Sequence, residues 1–263
     1  DFSFPDGESY ARPGEDVRGK DVFVIQSLHN AGIECVDTKL QKLAIFNNAA
    51  KYASASRITN VIPYHAYTRQ DRKTRSRDPL SFKNVAKNLM DSGANRILSI
   101  DWHNPAVINA YDIPVDILDP IKELVGYLKH GLFNYDRIVA LAPDVGAADR
   151  NEKLAQKLSG ALKRDVGFAV GLKTRDGNSV KLTDIVGNID GAAVVIYDDE
   201  SVTGSTLIKV AELAKIKGAK LEIAVVTHEK FTEDGVKNLE NSDLEEVVGT
   251  DTVWRPDLFF QEH

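Results

Sequence analysis

Two adjacent aspartates followed closely by small hydroxyl residues and a glycine mark residues 194–207, VVIYDDESVTGSTL. VVIY reads as a buried strand and LIKVAELAKI as an apolar-periodic helix, so TGST falls at a helix N-terminus. Backbone N–H groups point outward there and the helix dipole favours an anion. Thr203, Gly204, Ser205 and Thr206 add donors without bulk. Asp198 and Asp199 fall at the strand's carboxyl end, where open α/β sheets bind ligands. A carboxylate pair accepts bonds from vicinal hydroxyls or holds magnesium. Phosphate at one end and a diol at the other describe ribose 5-phosphate. An ordinary helix cap would account for the hydroxyls but not for the paired acids at this spacing.

Other reactive side chains lie elsewhere. Arg69, Gln70, Arg72, Lys73, Arg75 and Arg77 follow an apolar run, where cations can converge on a triphosphate. Lys173 and Arg175 lie in GLKTRDG, a glycine-flanked basic loop after an expected strand at 166–170. Two cations on a loop tip suit charge that develops on a transferring phosphoryl group. His103 in DWH and Asp144 in PDVGA each follow a strand, although a lone histidine is more often structural. FPDGES at 4–9, with Phe4, Asp6 and Glu8, reads by itself as a turn. GEDVRGKD at 14–21 nearly spells a P-loop, but Asp21 stands where Ser or Thr must hold magnesium, and the segment precedes a strand rather than following one.

Positioning these groups requires a scaffold. Apolar runs at 22–26, 58–63, 96–101, 137–142, 192–198 and 221–227 read as buried strands. Helical spacing occupies 36–54, 80–92, 120–131, 148–162 and 203–217. Strands alternating with helices predict an α/β protein with mainly parallel sheets and helices on both faces. NRILSIDWH at 95–103 and DRIVALAPD at 136–144 resemble each other weakly, as two related halves would, and the expected division is 1–119 and 120–263. At 263 residues, 43% hydrophobic and 27% charged, the chain fills one large core or two modest ones. A net charge of −6 and a pI near 5.6 argue against nucleic acid as a partner. The single Cys35 excludes an internal disulfide and fits a cytoplasmic setting. No apolar run reaches membrane-spanning length, so no membrane is expected as a partner. The chain opens at Asp1 without a methionine, and residues upstream are expected.

The DDESVTGST segment resembles the phosphoribosyl-pyrophosphate loop of type I phosphoribosyltransferases and of the ribose-phosphate pyrophosphokinases. FPDGES, VIPYHAYTRQDRKTRSR at 61–77, DWH, PDVGA and GLKTRDG are similar to segments of the pyrophosphokinases specifically, and together they span most of the chain. The resemblance implies two type I phosphoribosyltransferase-like domains, the first on the ATP side and the second on the ribose 5-phosphate side. It implies ATP contacts from Phe4, Asp6, Glu8, Arg69, Gln70, Arg77 and His103, with the ATP site at a subunit interface of a homo-oligomer. It further implies Mg2+ near His103 and Asp144, catalysis by Lys173 and Arg175, and ribose 5-phosphate on Asp198, Asp199, Thr203, Gly204, Ser205 and Thr206. The implied reaction moves the diphosphoryl group of MgATP to the C1 hydroxyl of ribose 5-phosphate, giving phosphoribosyl pyrophosphate and AMP.

Two departures stand out. Val202 occupies the position before Thr-Gly where many members carry an aspartate, and His65 replaces a usual aromatic residue. Two other readings follow from the same residues. A phosphoribosyltransferase explains TGST but leaves TRQDRK without a role. A non-catalytic regulatory subunit is favoured by Val202 and opposed by Lys173 with Arg175.

Overall fold

The computed structural model describes residues 2–30, 34–176 and 179–254, with the side chains of 175–181 outside that description. The chain divides into two compact units, Asp1–Asp119 together with the segment from Asp251, and Pro120–Thr250.

In the first unit, β1 (Phe2–Ser3) and β2 (Ser9–Tyr10) form an antiparallel ribbon. Then follow β3 (Asp21–Ile25), α1 (Val36–Tyr52), β4 (Arg57–Ile62), α2 (Ser81–Ser92), β5 (Arg96–Ile100) and β6 (Val115–Leu118). The sheet order β3-β4-β5-β6 is parallel throughout. Each crossover steps the same way across the sheet, and right-handed crossovers then put successive helices on one face. Accordingly Leu40 and Leu43 of α1 share one core with Phe82, Val85 and Leu89 of α2 and with Ile62 and Ile97 of the sheet. On the alternate positions of β3, Phe23 and Ile25 are 59% and 72% exposed.

The second unit runs α3 (Ile121–Leu132), β7 (Ile138–Ala142), α4 (Ala148–Leu162), β8 (Gly167–Asp176), β9 (Ser179–Val186), β10 (Ala193–Ser201), α5 (Ser205–Ile216), β11 (Leu221–Glu229), α6 (Glu233–Glu240) and β12 (Glu246–Gly249). Its sheet order is β12-β11-β10-β7-β8-β9, parallel except where β9 folds back on β8. From β7 the chain steps first toward β8 and later returns to place β10 on the other side. Reversal puts helices on both faces. α3 and α4 cover Ile138, Ala140, Val195, Tyr197 and Val225, while Leu207, Val210 and Ala214 of α5 are buried along with Leu141, Val194 and Ile196 of the opposite face. The central strands are buried on both sides, which is why they read as unbroken apolar runs.

All seven expected strands and five expected helices are present, with ends shifted by at most three residues except at β8. One expectation changes. GLKTRDG is not a loop up to Asp176: Lys173, Thr174 and Arg175 continue β8 and pair with Leu182, Lys181 and Val180 of β9. The alternation simply runs on past Val170, with an irregularity at Leu172/Lys173.

Candidate functional site

Reversal of strand order makes a crevice outside the carboxyl ends of β7 and β10, the position where open α/β sheets hold ligands. The DDESVTGST segment lies there. Asp198 is the last residue of β10 paired to β11 before the pattern skips to Glu200, and Asp199 is 3% exposed. Desolvation pushes the Asp198 carboxyl well above the usual carboxylate range, and the neighbouring Asp199 adds to the effect. Two close, poorly solvated acids hold one proton between them readily.

The chain turns at Gly204 (φ 69°), which precedes α5. The Thr203 and Ser205 hydroxyls bond each other at 2.9 Å, and Ser205 N–H reaches Thr203 Oγ1 at 3.4 Å. The turn is shaped from behind. Thr232 N–H and Lys230 N–H donate to the carbonyls of Val202 and Ser201, both at 3.0 Å. At Gly235 a Cβ would lie 2.6 Å from the Val202 carbonyl oxygen, so only glycine lets α6 approach this closely. A Cβ on Gly204 would meet the Leu239 side chain at 2.8 Å. Glu200, buried beside the turn, pairs with Lys230 at 3.1 Å.

Asp144 follows β7, and its Oδ1 accepts from the N–H groups of Gly146 (2.9 Å) and Ala147 (3.3 Å). Its Oδ2 meets Lys173 Nζ at 2.5 Å. Two residues expected in different roles, metal ligand and catalytic cation, are thus an ion pair here. The Arg175 side chain lies outside the described residues.

Sequence reading missed two contributors. Arg150, on the first turn of α4, lies 3.5 Å from Asp199 Oδ1 and 5.6 Å over the Tyr197 ring. Asn151 donates to the Tyr197 carbonyl at 2.7 Å and accepts from Tyr197 N–H at 3.3 Å, fixing the strand just before the acids. The only signal was an Arg-Asn pair soon after PDVGA; its importance arises from pairing across strands far apart in sequence.

The first unit holds the other expected residues. In FPDGES a turn closes with Gly7 N–H on the Phe4 carbonyl (2.8 Å), with Pro5 in the position that presets φ. Phe4 packs with Phe2 and Tyr10 at ring separations of 5.0 and 6.0 Å, and Asp6 Oδ1 accepts from Glu8 N–H. These residues sit on the ribbon. Arg69, Gln70 and Arg77 lie exposed on the loop after β4. That loop is ordered by Asp78 Oδ2, which accepts from Thr74 N, Thr74 Oγ1 and Arg75 N. After β5, Asp101 takes a positive φ of 41°, Trp102 plugs the core, and His103 emerges exposed. Among the described non-glycine residues with positive φ, Tyr67, Arg77 and Asp101 all belong to these two segments. Such conformations cost on the order of 1–3 kcal/mol each and persist where surrounding structure enforces them.

Among the described residues no group of three or more His, Cys, Asp and Glu side chains could hold a metal ion, and no helix is long and apolar enough to cross a membrane.

Comparison with known proteins shows the family. Residues 2–93 match the N-terminal domain of ribose phosphate pyrophosphokinase, and 166–258 match the phosphoribosyl synthetase-associated domain. The ribose-phosphate pyrophosphokinase of Fusobacterium nucleatum is 37% identical over 255 residues, covering 97% of this chain and 78% of the relative. That of Aquifex aeolicus is 38% identical over 252 residues, covering 95% and 78%. The crystal structure of phosphoribosylpyrophosphate synthetase from Mycobacterium smegmatis superposes with a TM-score of 0.84 at 33% identity, covering 95% of this chain and 79% of that one.

Proposed function

Because the chain belongs to the ribose-phosphate pyrophosphokinase family, we infer that it is a transferase that moves the β,γ-diphosphoryl group of ATP onto the C1 hydroxyl of ribose 5-phosphate. The C1 oxygen bonds to the β-phosphorus, the bridge between α- and β-phosphates breaks, and AMP leaves as the hydroxyl proton is lost. The observation that carries this reading is the DDESVTGST turn at the crevice between β7 and β10.

In this reading the N-terminus of α5, with Thr203, Gly204, Ser205 and Thr206, binds the 5-phosphate through N–H and hydroxyl donors. Asp198 and Asp199 take the ribose hydroxyls, and a shared proton lets the pair both donate and accept. Arg150 pairs with Asp199 from the side. Lys173 neutralises the migrating group when it leaves Asp144, and Arg175 is assigned beside it. Arg69, Gln70, Arg77 and His103 bind the nucleotide, and Phe4, Asp6 and Glu8 serve the adenine of a neighbouring subunit in a homo-oligomer. Catalysis is positioning and electrostatics, as phosphoryl-type transfers require.

Carboxylate oxygens of Asp144, Asp198 and Asp199 are hard donors that suit Mg2+, which ordinarily binds through one or two carboxylates plus phosphates and water rather than a protein cage. Asp144 is the residue of the second unit assigned to hold it. Bound there, the ion would offset phosphate charge.

Val202 favours one competing reading, a non-catalytic regulatory subunit of a pyrophosphokinase complex. AMP release from ATP, measured with and without ribose 5-phosphate, separates them: ribose-dependent AMP is expected, and ribose-independent release, or none, would falsify the assignment.

A further inference from the structure

Two segments of the first unit carry the groups assigned to the nucleotide, residues 63–71 with Arg69 and Gln70, and residues 102–111 with His103. Two hydrogen bonds described here tie them. In the core, His65 Nδ1 donates to the Ala66 carbonyl at 2.8 Å, which leaves Nε2 to accept from the Tyr111 hydroxyl at 2.7 Å. Nearer the surface, Asn104 Nδ2 donates to Asp71 Oδ2 at 2.7 Å. One bond lies before Arg69 and the other just after Gln70; on the opposite segment one follows His103 directly and the other closes the 3-10 turn Pro105–Ala110.

Rings already fill the buried site: Phe82, Trp102 and Tyr111 lie 5.1, 5.2 and 6.1 Å from His65. Apolar rings at 65 and 111 would pack there without burying polar atoms. A buried imidazole and hydroxyl add little net stability, since the bond mostly repays desolvation. What they add is direction, because only one placement of the two segments satisfies both groups. The positive φ angles of Tyr67, within the first segment, and of Asp101, immediately before the second, need such an external constraint.

We propose that His65–Tyr111 and Asp71–Asn104 form a clamp that fixes residues 63–71 against 102–111, making His65, Tyr111, Asp71 and Asn104 positioning residues for the nucleotide. The clamp rests on the assignment of this unit to ATP. Tyr111→Phe removes the hydroxyl and keeps the ring; Asn104→Ala opens the outer tie without entering the ring cluster.

Steady-state kinetics on the full chain, with ATP and ribose 5-phosphate varied in turn, decide the matter. Each variant is expected to raise KM for ATP about 5- to 10-fold, the order of one lost polar contact, with kcat and KM for ribose 5-phosphate within about twofold of wild type. Equal losses for both substrates, or a lowered Tm with KM for ATP unchanged, overturn the clamp while the activity stands. A wild-type chain that releases no AMP overturns the activity and the clamp with it. Should Tyr111→Phe fail to fold, Asn104→Ala decides alone by the same outcomes.

Discussion

Lowering the pH from 7.5 to 4 is expected to remove about 3 kcal/mol of folding stability through His65 alone. Both ring nitrogens are committed, Nδ1–H to the Ala66 carbonyl and Nε2 to the Tyr111 hydroxyl, and the ring is 1% exposed. Burial pushes its pKa from 6.5 down to about 4, with the Ala66 carbonyl pulling weakly the other way. The sign follows from which state takes up the proton first. The unfolded chain protonates near 6.5 and the folded chain only near 4, so the full contribution is present above 6.5 and declines until the pH reaches 4. Over that interval each pH unit is worth about 1.4 kcal/mol, which gives about 3 kcal/mol. Urea unfolding at pH 7.5, 5.5 and 4, for wild type and for His65→Phe, provides the measurement. Trp102, buried beside His65, reports on this unit by fluorescence. Carboxylates titrate in both proteins and cancel in the difference, while the Tyr111 hydroxyl orphaned in the variant adds an offset that does not change with pH. A wild-type minus variant difference that changes by less than about 1 kcal/mol between pH 7.5 and 4 would refute the reasoning.

Three further outcomes are expected. Val202→Asp adds a charged acceptor to the ribose-facing turn and lowers KM for ribose 5-phosphate about tenfold; an unchanged KM would mean that residue 202 does not face the sugar. Lys173→Met frees Asp144 and removes the cation, so turnover falls about 100-fold or more while Tm moves little; near-normal turnover would remove Lys173 from the chemistry. Arg150→Met takes away the positive charge that holds the Asp198 pKa down, so the acidic limb of kcat/KM for ribose 5-phosphate shifts to higher pH; a pH profile superimposable on wild type would deny Arg150 that role.

Long, doubly buried strands and amphipathic helices were legible in the sequence because their periodicity is set by the core. Residues 148–162 form α4 over the very span expected, and 221–227 grew only by two residues into β11. Short edge elements were not. β6 and β12 have four residues each, too few to establish a period, and β9 mixes charged with apolar positions as a partly exposed edge strand does. At the site, Asp198, Asp199 and TGST were legible because strand, acids and helix start are contiguous. Arg150 and Asn151 were not, since their partners at Tyr197 and Asp199 are reached only through the β7–β10 pairing. The KTR residues were read as a loop because the glycine at 171 looks like a strand end; in the sheet it is where the Pro143 carbonyl passes 2.8 Å from a would-be Cβ.

The backbone of the DDESVTGST turn is held by groups outside it: Thr232 and Lys230 N–H on its carbonyls, and Gly235 pressed against Val202. A loop templated by its neighbour keeps its path whatever side chain stands at 202. A substitution at 202 is therefore expected to change the chemistry of the turn without changing its shape. The corresponding constraint lies at residue 235, where even one methyl group would push the α6 backbone off the turn.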